Sequence, residues 1–226
     1  ALNFKGPFRM TARVGERSYR IARTIRQEDI LRFRATGQVT LLHYADCHAQ
    51  FRPVYFREPS INLGVGDART LPPHVTDREF LARYGIDAGS YSAYAMSSAD
   101  FVTLARTYGR VGGMDRLATL VKAIRAERGA NRALLLDGGD TLHGSYTAMQ
   151  SQGGDMIRVI EALGVDAITG HWEFTLGDKR VRQVFGDKDG RGSAKVDFLA
   201  GNIVDTTFEE AMFRAWRIYE KGGVRI

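Results

Sequence analysis

A single cysteine, Cys47, in a chain of 226 residues excludes an intrachain disulfide and any zinc site built from thiolates, and it leaves the cellular compartment undecided. No run approaches the ~20 apolar residues that a membrane-spanning helix needs, and neither an internal repeat nor a low-complexity tract is present. Proline is scarce: of five residues, four (Pro53, Pro59, Pro72 and Pro73) fall in one stretch. Histidine is equally scarce, with five residues and none after His171. Acidic excess is lacking too, since the formal charge is +6. Residues 1–40 hold 9 basic and 3 acidic side chains, which accounts for that excess and leaves the body balanced. The arginines from Arg13 through Arg17, Arg20, Arg23, Arg26, Arg32 and Arg34 fit a solvated extension laid over an acidic face of the same protein, with an acidic partner as the alternative. Nucleic acid is disfavoured as that partner, because no zinc-binding cysteines or RNP aromatics accompany the charge.

What is present is an ordinary globular composition, 44% hydrophobic with 25 glycines, enough for a sizeable core with many tight turns. Val39–Tyr44 is an apolar run without alternation, which predicts a strand covered on both faces. Arg116–Arg128 places Leu117, Leu120, Val121 and Ile124 on one helical stripe, with Asp115 as the expected cap and Gly129 as the stop. Strands follow at Arg132–Leu136, Val165–Thr169 and Lys195–Ala200, with a helix over Asp155–Leu163 ended by Gly164. Strand and helix alternate, so the expected fold is α/β with a sheet at least partly parallel.

Two regions stand apart. Residues 1–38 read as a basic N-terminal extension. Residues 51–100 read as an ordered insertion in the domain 39–226, rich in proline and aromatics, with a short helix over Asp77–Tyr84 closed by Gly85. Such an insertion fits the wall of an active-site channel. The segment Trp216–Ile226 resembles a hairpin entered but not finished, which suggests further sequence or a partner chain.

Three strand ends deliver candidate metal ligands: Asp46 and His48 after the first, Asp140 after the second, His171 after the third. Carboxylate oxygen with imidazole nitrogen suits borderline divalent cations, and a shared carboxylate can hold two ions ~4 Å apart. In Asp46-Cys47-His48 an extended backbone would send the two ligands to one side and Cys47 into packing. Each residue alone has a plainer reading, as a cap or a packed imidazole; the set points to metal.

The elements Asp46-Cys-His48, Gly138-Gly-Asp140 and Gly170-His-Trp-Glu-Phe-Thr175, with Leu199-Ala-Gly-Asn202 after them, resemble the calcineurin-like metallophosphoesterases, in the branch that contains 5′-nucleotidases. The resemblance implies a layered fold with a central mixed sheet and helices outside. It places Asp46 and His48 on one ion, Asp140 bridging both, and His171 on the second, so that Asp140 and His171 act catalytically through bound metals. Where the nucleotidases have an Asn ligand, a catalytic His and an Asp supporting it, this chain has His171, Trp172 and Thr175. Those departures, with Pro53-Val-Tyr-Phe-Arg-Glu-Pro59, Asn62-Leu-Gly-Val-Gly66 and Leu134-Leu-Leu-Asp-Gly-Gly-Asp-Thr141, resemble instead the SoxB thiosulfohydrolases of bacterial sulfur oxidation, from about Val39 to Asn202.

That second resemblance implies a hydrolase that releases sulfate from a cysteine S-thiosulfonate on the mobile tail of a SoxYZ-like carrier in the periplasm. Two divalent ions are implied, manganese first, with zinc or iron as alternatives. Arg57, Trp172 and His143 are the substrate-binding candidates: Arg57 through its planar donor fork, Trp172 as a pocket wall, His143 as an orienting or supporting group. Cys47 and Leu142-His143 depart from that family's usual residues, and its further downstream histidines are missing here. The sequence is therefore expected to lack a C-terminal part and a second domain, or to need a partner chain. A 5′-nucleotidase-like phosphomonoesterase and a noncatalytic carrier-binding module are the competing readings.

Overall fold

The computed structural model describes residues 8–14, 17–23, 37–55, 65–68 and 71–226. These fall into two compact units, one taking in Ala1–Leu31 with Pro53–Gly112, the other Arg32–Arg52 with Gly113–Ile226.

In the first unit, β1 (Phe8–Val14) and β2 (Arg17–Arg23) pair antiparallel, with Phe8 opposite Arg23 and Val14 opposite Arg17. The basic extension thus contains a hairpin that its charge pattern did not announce. Three helices follow: α1 (Asp77–Tyr84), α2 (Tyr91–Met96) and α3 (Phe101–Tyr108). The first matches expectation to the residue, and Gly85 ends it at φ 62°, the left-handed conformation a glycine adopts at low cost. The other two, of six and eight residues, were not expected from the sequence. Their support is tertiary. Tyr94 is fully buried with Leu81, Ala93 and Leu104, its ring stacks on Tyr108 at 6.0 Å, and its hydroxyl donates to the Gly109 carbonyl at 2.7 Å.

The second unit is a parallel α/β layer. Strands β3 (Thr40–Tyr44), β4 (Ala133–Asp137), β5 (Ala167–Ile168) and β6 (Asp197–Phe198) lie in that order and all run parallel. Helices α4 (Met114–Arg128), α5 (Tyr146–Ser151), α6 (Gly154–Leu163) and α7 (Asp178–Phe185) accompany them. The core gathers Val121, Leu135, Met156, Ile160, Ile168, Val184 and Phe198. The α/β class therefore holds, and the described sheet supplies its parallel component.

Two local expectations need correction. Among the described residues β3 is an edge strand, not one covered twice: its exposure alternates along the strand and Leu41 is 58% exposed. An unbroken apolar run cannot say which neighbours the topology will supply. The cap of α4 is Gly113 rather than Asp115, which is the second residue of the helix and receives the Arg116 N–H at 2.8 Å; an acid there still suits the positive end of the helix dipole.

Register positions the site. Tyr44 pairs with Asp137, Asp137 with Ile168, and Ile168 with Phe198. These four form one row at the carboxyl ends, so all four following loops leave from the same edge, where α/β folds place their ligands. The opposite edge is tied by the last residues of the chain. There β7 (Glu220–Lys221) and β8 (Val224–Arg225) form a closed hairpin around Gly222 and Gly223, both at positive φ, as a two-residue hairpin turn requires. Both strands of the expected hairpin are thus present and paired. Lys221 Nζ bonds Asp166 Oδ1 at 2.9 Å, the Tyr219 hydroxyl bonds Asp197 Oδ2 at 2.8 Å, and Gly222 N–H bonds the Asn131 carbonyl at 2.8 Å.

Candidate metal centre

Beyond the sheet, the loops after β3 and β4 stay zipped by their backbones. Gly138 N–H donates to the Tyr44 carbonyl at 2.7 Å, Asp46 N–H to Gly139 at 2.9 Å, His48 N–H to Asp140 at 2.9 Å, and Ala49 N–H to Thr141 at 3.1 Å. This ladder sets His48 against Asp140. The backbone at Asp46 (φ 57°) and His48 (φ 46°) is left-handed, so the two side chains converge through a tight turn and not through the extended segment expected. Glycine is needed where the loops approach. A Cβ on Gly139 would stand 2.8 Å from the Thr169 carbonyl, and one on Gly144 would stand 2.6 Å from the His48 carbonyl.

Asp140 is the centre of the arrangement, buried to 4% exposure. Its Oδ1 is bonded by His143 Nε2. Its Oδ2 lies 2.8 Å from His171 Nδ1 and 3.7 Å from His48 Nε2. Asp46 Oδ1 lies 4.0 Å from His48 Nε2 and is the most exposed carboxylate of the group. Burial opposes the charge on Asp140, but hydrogen bonds from His143 and His171 outweigh it and hold the carboxyl below its ordinary range. His48 and His171 therefore both reach Asp140, and Asp46 joins them through His48. One donor atom each from His48, Asp140 and His143 lies within 4.8 Å of the other two, close enough to share an ion. Nitrogen and oxygen donors on both sides of one buried carboxylate suit borderline divalent metals, so the residues present fit the ions that the sequence implies.

The substrate candidates divide. Trp172 is 58% exposed, with its ring 6.3 Å from that of His143 and 6.4 Å from that of His171. Thr175 does not reach toward the site; its hydroxyl donates to the Trp172 carbonyl at 2.6 Å and closes the turn. Arg57 lies outside the described residues.

Two buried acids beneath the ligands escaped the sequence reading. Glu173, with no exposed surface, accepts the backbone N–H groups of Asp140, Thr141, Leu142 and His171 at 3.1, 2.8, 3.3 and 2.9 Å. The available signal was an acid between aromatics, in Trp172-Glu-Phe174, immediately after a ligand. Asp137 accepts from Gly139 N–H at 3.0 Å and from the Thr141 hydroxyl at 2.9 Å. Burial pushes its carboxyl up to about 6, against the pull of those hydrogen bonds. Its Oδ2 and the neighbouring Tyr44 hydroxyl are buried without a hydrogen-bond partner of good geometry, and burial with the Asp137 charge drives the Tyr44 phenol far up. Cys47 packs against the core, and burial first, then Asp137 and Asp46, push its thiol up to about 12. A thiolate ligand or nucleophile is disfavoured there.

Sheet, helices and loop-borne ligands define a metallophosphoesterase-like α/β fold. Among solved structures, the chain is similar to the sulfate thiohydrolase SoxB from Thermus thermophilus, in complex with glycerol, at 36% identity and a TM-score of 0.69. The match covers 86% of this chain and 35% of that one, so the chain spans about a third of the length of that relative. The fold is SoxB-like. No protein-family model and no curated protein matches the sequence. Among the described residues, no helix is long and apolar enough to cross a membrane.

Proposed function

We propose that this chain carries the metal-binding portion of a thiosulfohydrolase that releases sulfate from a cysteine S-thiosulfonate on a SoxYZ-like sulfur carrier. The observation that carries the reading is Asp140, buried between His143 on one oxygen and His171 and His48 on the other, in a fold similar to SoxB. Asp46, His48, Asp140 and His171 would hold two divalent ions, manganese first, with Asp140 between them. When bound, such ions lower the pKa of a water toward neutrality and draw charge from the oxygens of a tetrahedral anion.

The chain's own residues orient and enclose. Glu173 fixes the backbones of Asp140 and His171 together, and Trp172 walls the approach. Water attacks the terminal sulfonate sulfur and the S–S bond breaks. Sulfate leaves with the water's oxygen, and the sulfur that stays on the carrier cysteine takes a proton as persulfide. A persulfide leaves readily without a general acid, which accords with an indole at 172 where the nucleotidases have an imidazole. Residues 39–226 would then be an N-terminal metallophosphoesterase portion, with 51–100 inserted and a second domain supplied elsewhere; the 35% coverage of the relative supports that organisation, and a carrier of this kind places the protein in the periplasm.

The test is direct competition between chemistries. Metal-loaded protein is given the carrier-bound S-thiosulfonate and, separately, AMP, and sulfate and phosphate are counted. Sulfate release well above phosphate release is expected. Phosphate without sulfate would restore the nucleotidase reading, and tight carrier binding without turnover would favour a noncatalytic docking module.

A further inference from the structure

We infer that His143 is itself a metal ligand, which makes His48, Asp140 and His143 a three-donor cation site contained in one pair of loops. The inference rests on the metal reading of this centre and goes beyond the ligand set given above, where His143 is only a substrate or supporting group.

Three observations carry it. First, the donors are already gathered: His48 Nε2, Asp140 and His143 each offer an atom within 4.8 Å of the others, and the two imidazoles meet edge to face at 5.2 Å. Donors around an ion at about 2.0–2.2 Å must stand a little over 3 Å apart, so a small adjustment opens the place of the ion. Second, the backbone is built for this approach. The ladder from His48 to Asp140 and from Ala49 to Thr141 aligns the loops, and Gly144, at φ 107°, lets the chain after His143 press on the His48 carbonyl where any Cβ would clash at 2.6 Å. Third, His143 is sheltered, its side chain 18% exposed, while that of His171 is 59% exposed. A solvated or capping histidine would not need that enclosure. His171 bonds the other oxygen of Asp140, so His143 is the imidazole placed on Oδ1. Two imidazoles and one carboxylate form the donor set of a zinc-type or manganese-type ion.

The experiment reads binding, not turnover. Metal-free protein is titrated with Co²⁺ followed by visible absorption, and Zn²⁺ affinity is measured by competition with a chromophoric chelator. His143→Ala is expected to lower the affinity of the tightest ion by more than about tenfold, the smallest loss that removing even an outer partner produces, and to alter the Co²⁺ spectrum. Circular dichroism without metal checks that the variant folds. In the unaltered protein, nitrogen-15 NMR should show the His143 Nε2 resonance shifting on Zn²⁺ addition, a readout that needs no variant. An unshifted resonance, or wild-type stoichiometry, affinity and spectrum in His143→Ala, would overturn the inference and leave the metal centre standing. No ion bound by the wild type would overturn both.

Discussion

The carboxylate of Glu173 receives the backbone N–H of Asp140 at 3.1 Å and, through the same side chain, that of His171 at 2.9 Å. Two loops from separate strands are therefore held by one buried acid through hydrogen bonds to their backbones. Replacing it by alanine leaves four inward-facing donors without an acceptor. Glu173→Ala should cost about 2–5 kcal/mol of stability, read by urea denaturation. Glu173→Gln keeps one acceptor oxygen and should cost less, while still weakening metal affinity because Asp140 and His171 lose their common anchor. A variant within about 0.5 kcal/mol of wild type, the range of ordinary surface changes, would show that the staple is idle.

Metal content tests the central carboxylate. Asp140→Asn keeps the shape of the side chain but removes the charge that two imidazoles flank. Elemental analysis should find most of the bound divalent metal gone, with the far-ultraviolet circular dichroism unchanged. Full retention of metal would remove Asp140 from the ligand set.

Gly139 is predicted to tolerate no side chain. It sits at φ 88°, and an added Cβ would meet the Thr169 carbonyl at 2.8 Å, combining left-handed strain with a backbone clash. Gly139→Ala should destabilise by roughly 2 kcal/mol or more, whereas Gly177→Ala, with nothing within 4 Å of its Cβ, should lose only the conformational part of that amount. Equal melting temperatures for the two variants would refute the packing argument.

Asp137 and Asp140 pull stability in opposite directions with pH. Asp140 is held below the ordinary carboxyl range, so its contribution is present above the unfolded value and disappears as pH falls through the folded one. Asp137 is pushed up to about 6, so its contribution is present below the unfolded value, near 3.9, and is lost as pH rises to about 6. In chelator, Asp137→Asn should remove a decline in stability between about pH 4 and 6 while keeping both accepted hydrogen bonds on Oδ1. Urea midpoints across that range decide it; a variant with the wild-type pH slope would show that Asp137 titrates normally.

With its thiol pushed up to about 12 by burial, Cys47 should react far more slowly with a disulfide reagent at pH 8 than it does in urea. Equal rates would place it at the surface.

The linear sequence by itself determined the strand–helix alternation and the Asp77–Tyr84 helix with its Gly85 stop, and it singled out Asp46, His48, Asp140 and His171 as candidates, because periodicity, glycine and short motifs are local properties that survive without a fold. It also showed Trp172 and Thr175 as departures from the nucleotidase motif. Only the tertiary structure decided that β3 is an edge, that the Asp46–His48 turn is left-handed, that Asp115 lies inside its helix, and that His143 meets Asp140. Glu173 shows why. In sequence it is one acid among 26 acidic residues, and its place between two aromatics does not say which groups it will bind. Its role comes from the parallel register that sets the ends of β4 and β5 in one row and brings four N–H groups, three of them more than 30 positions away, around one carboxylate. Burial and partnership are relations between distant segments, and only the closed fold fixes them.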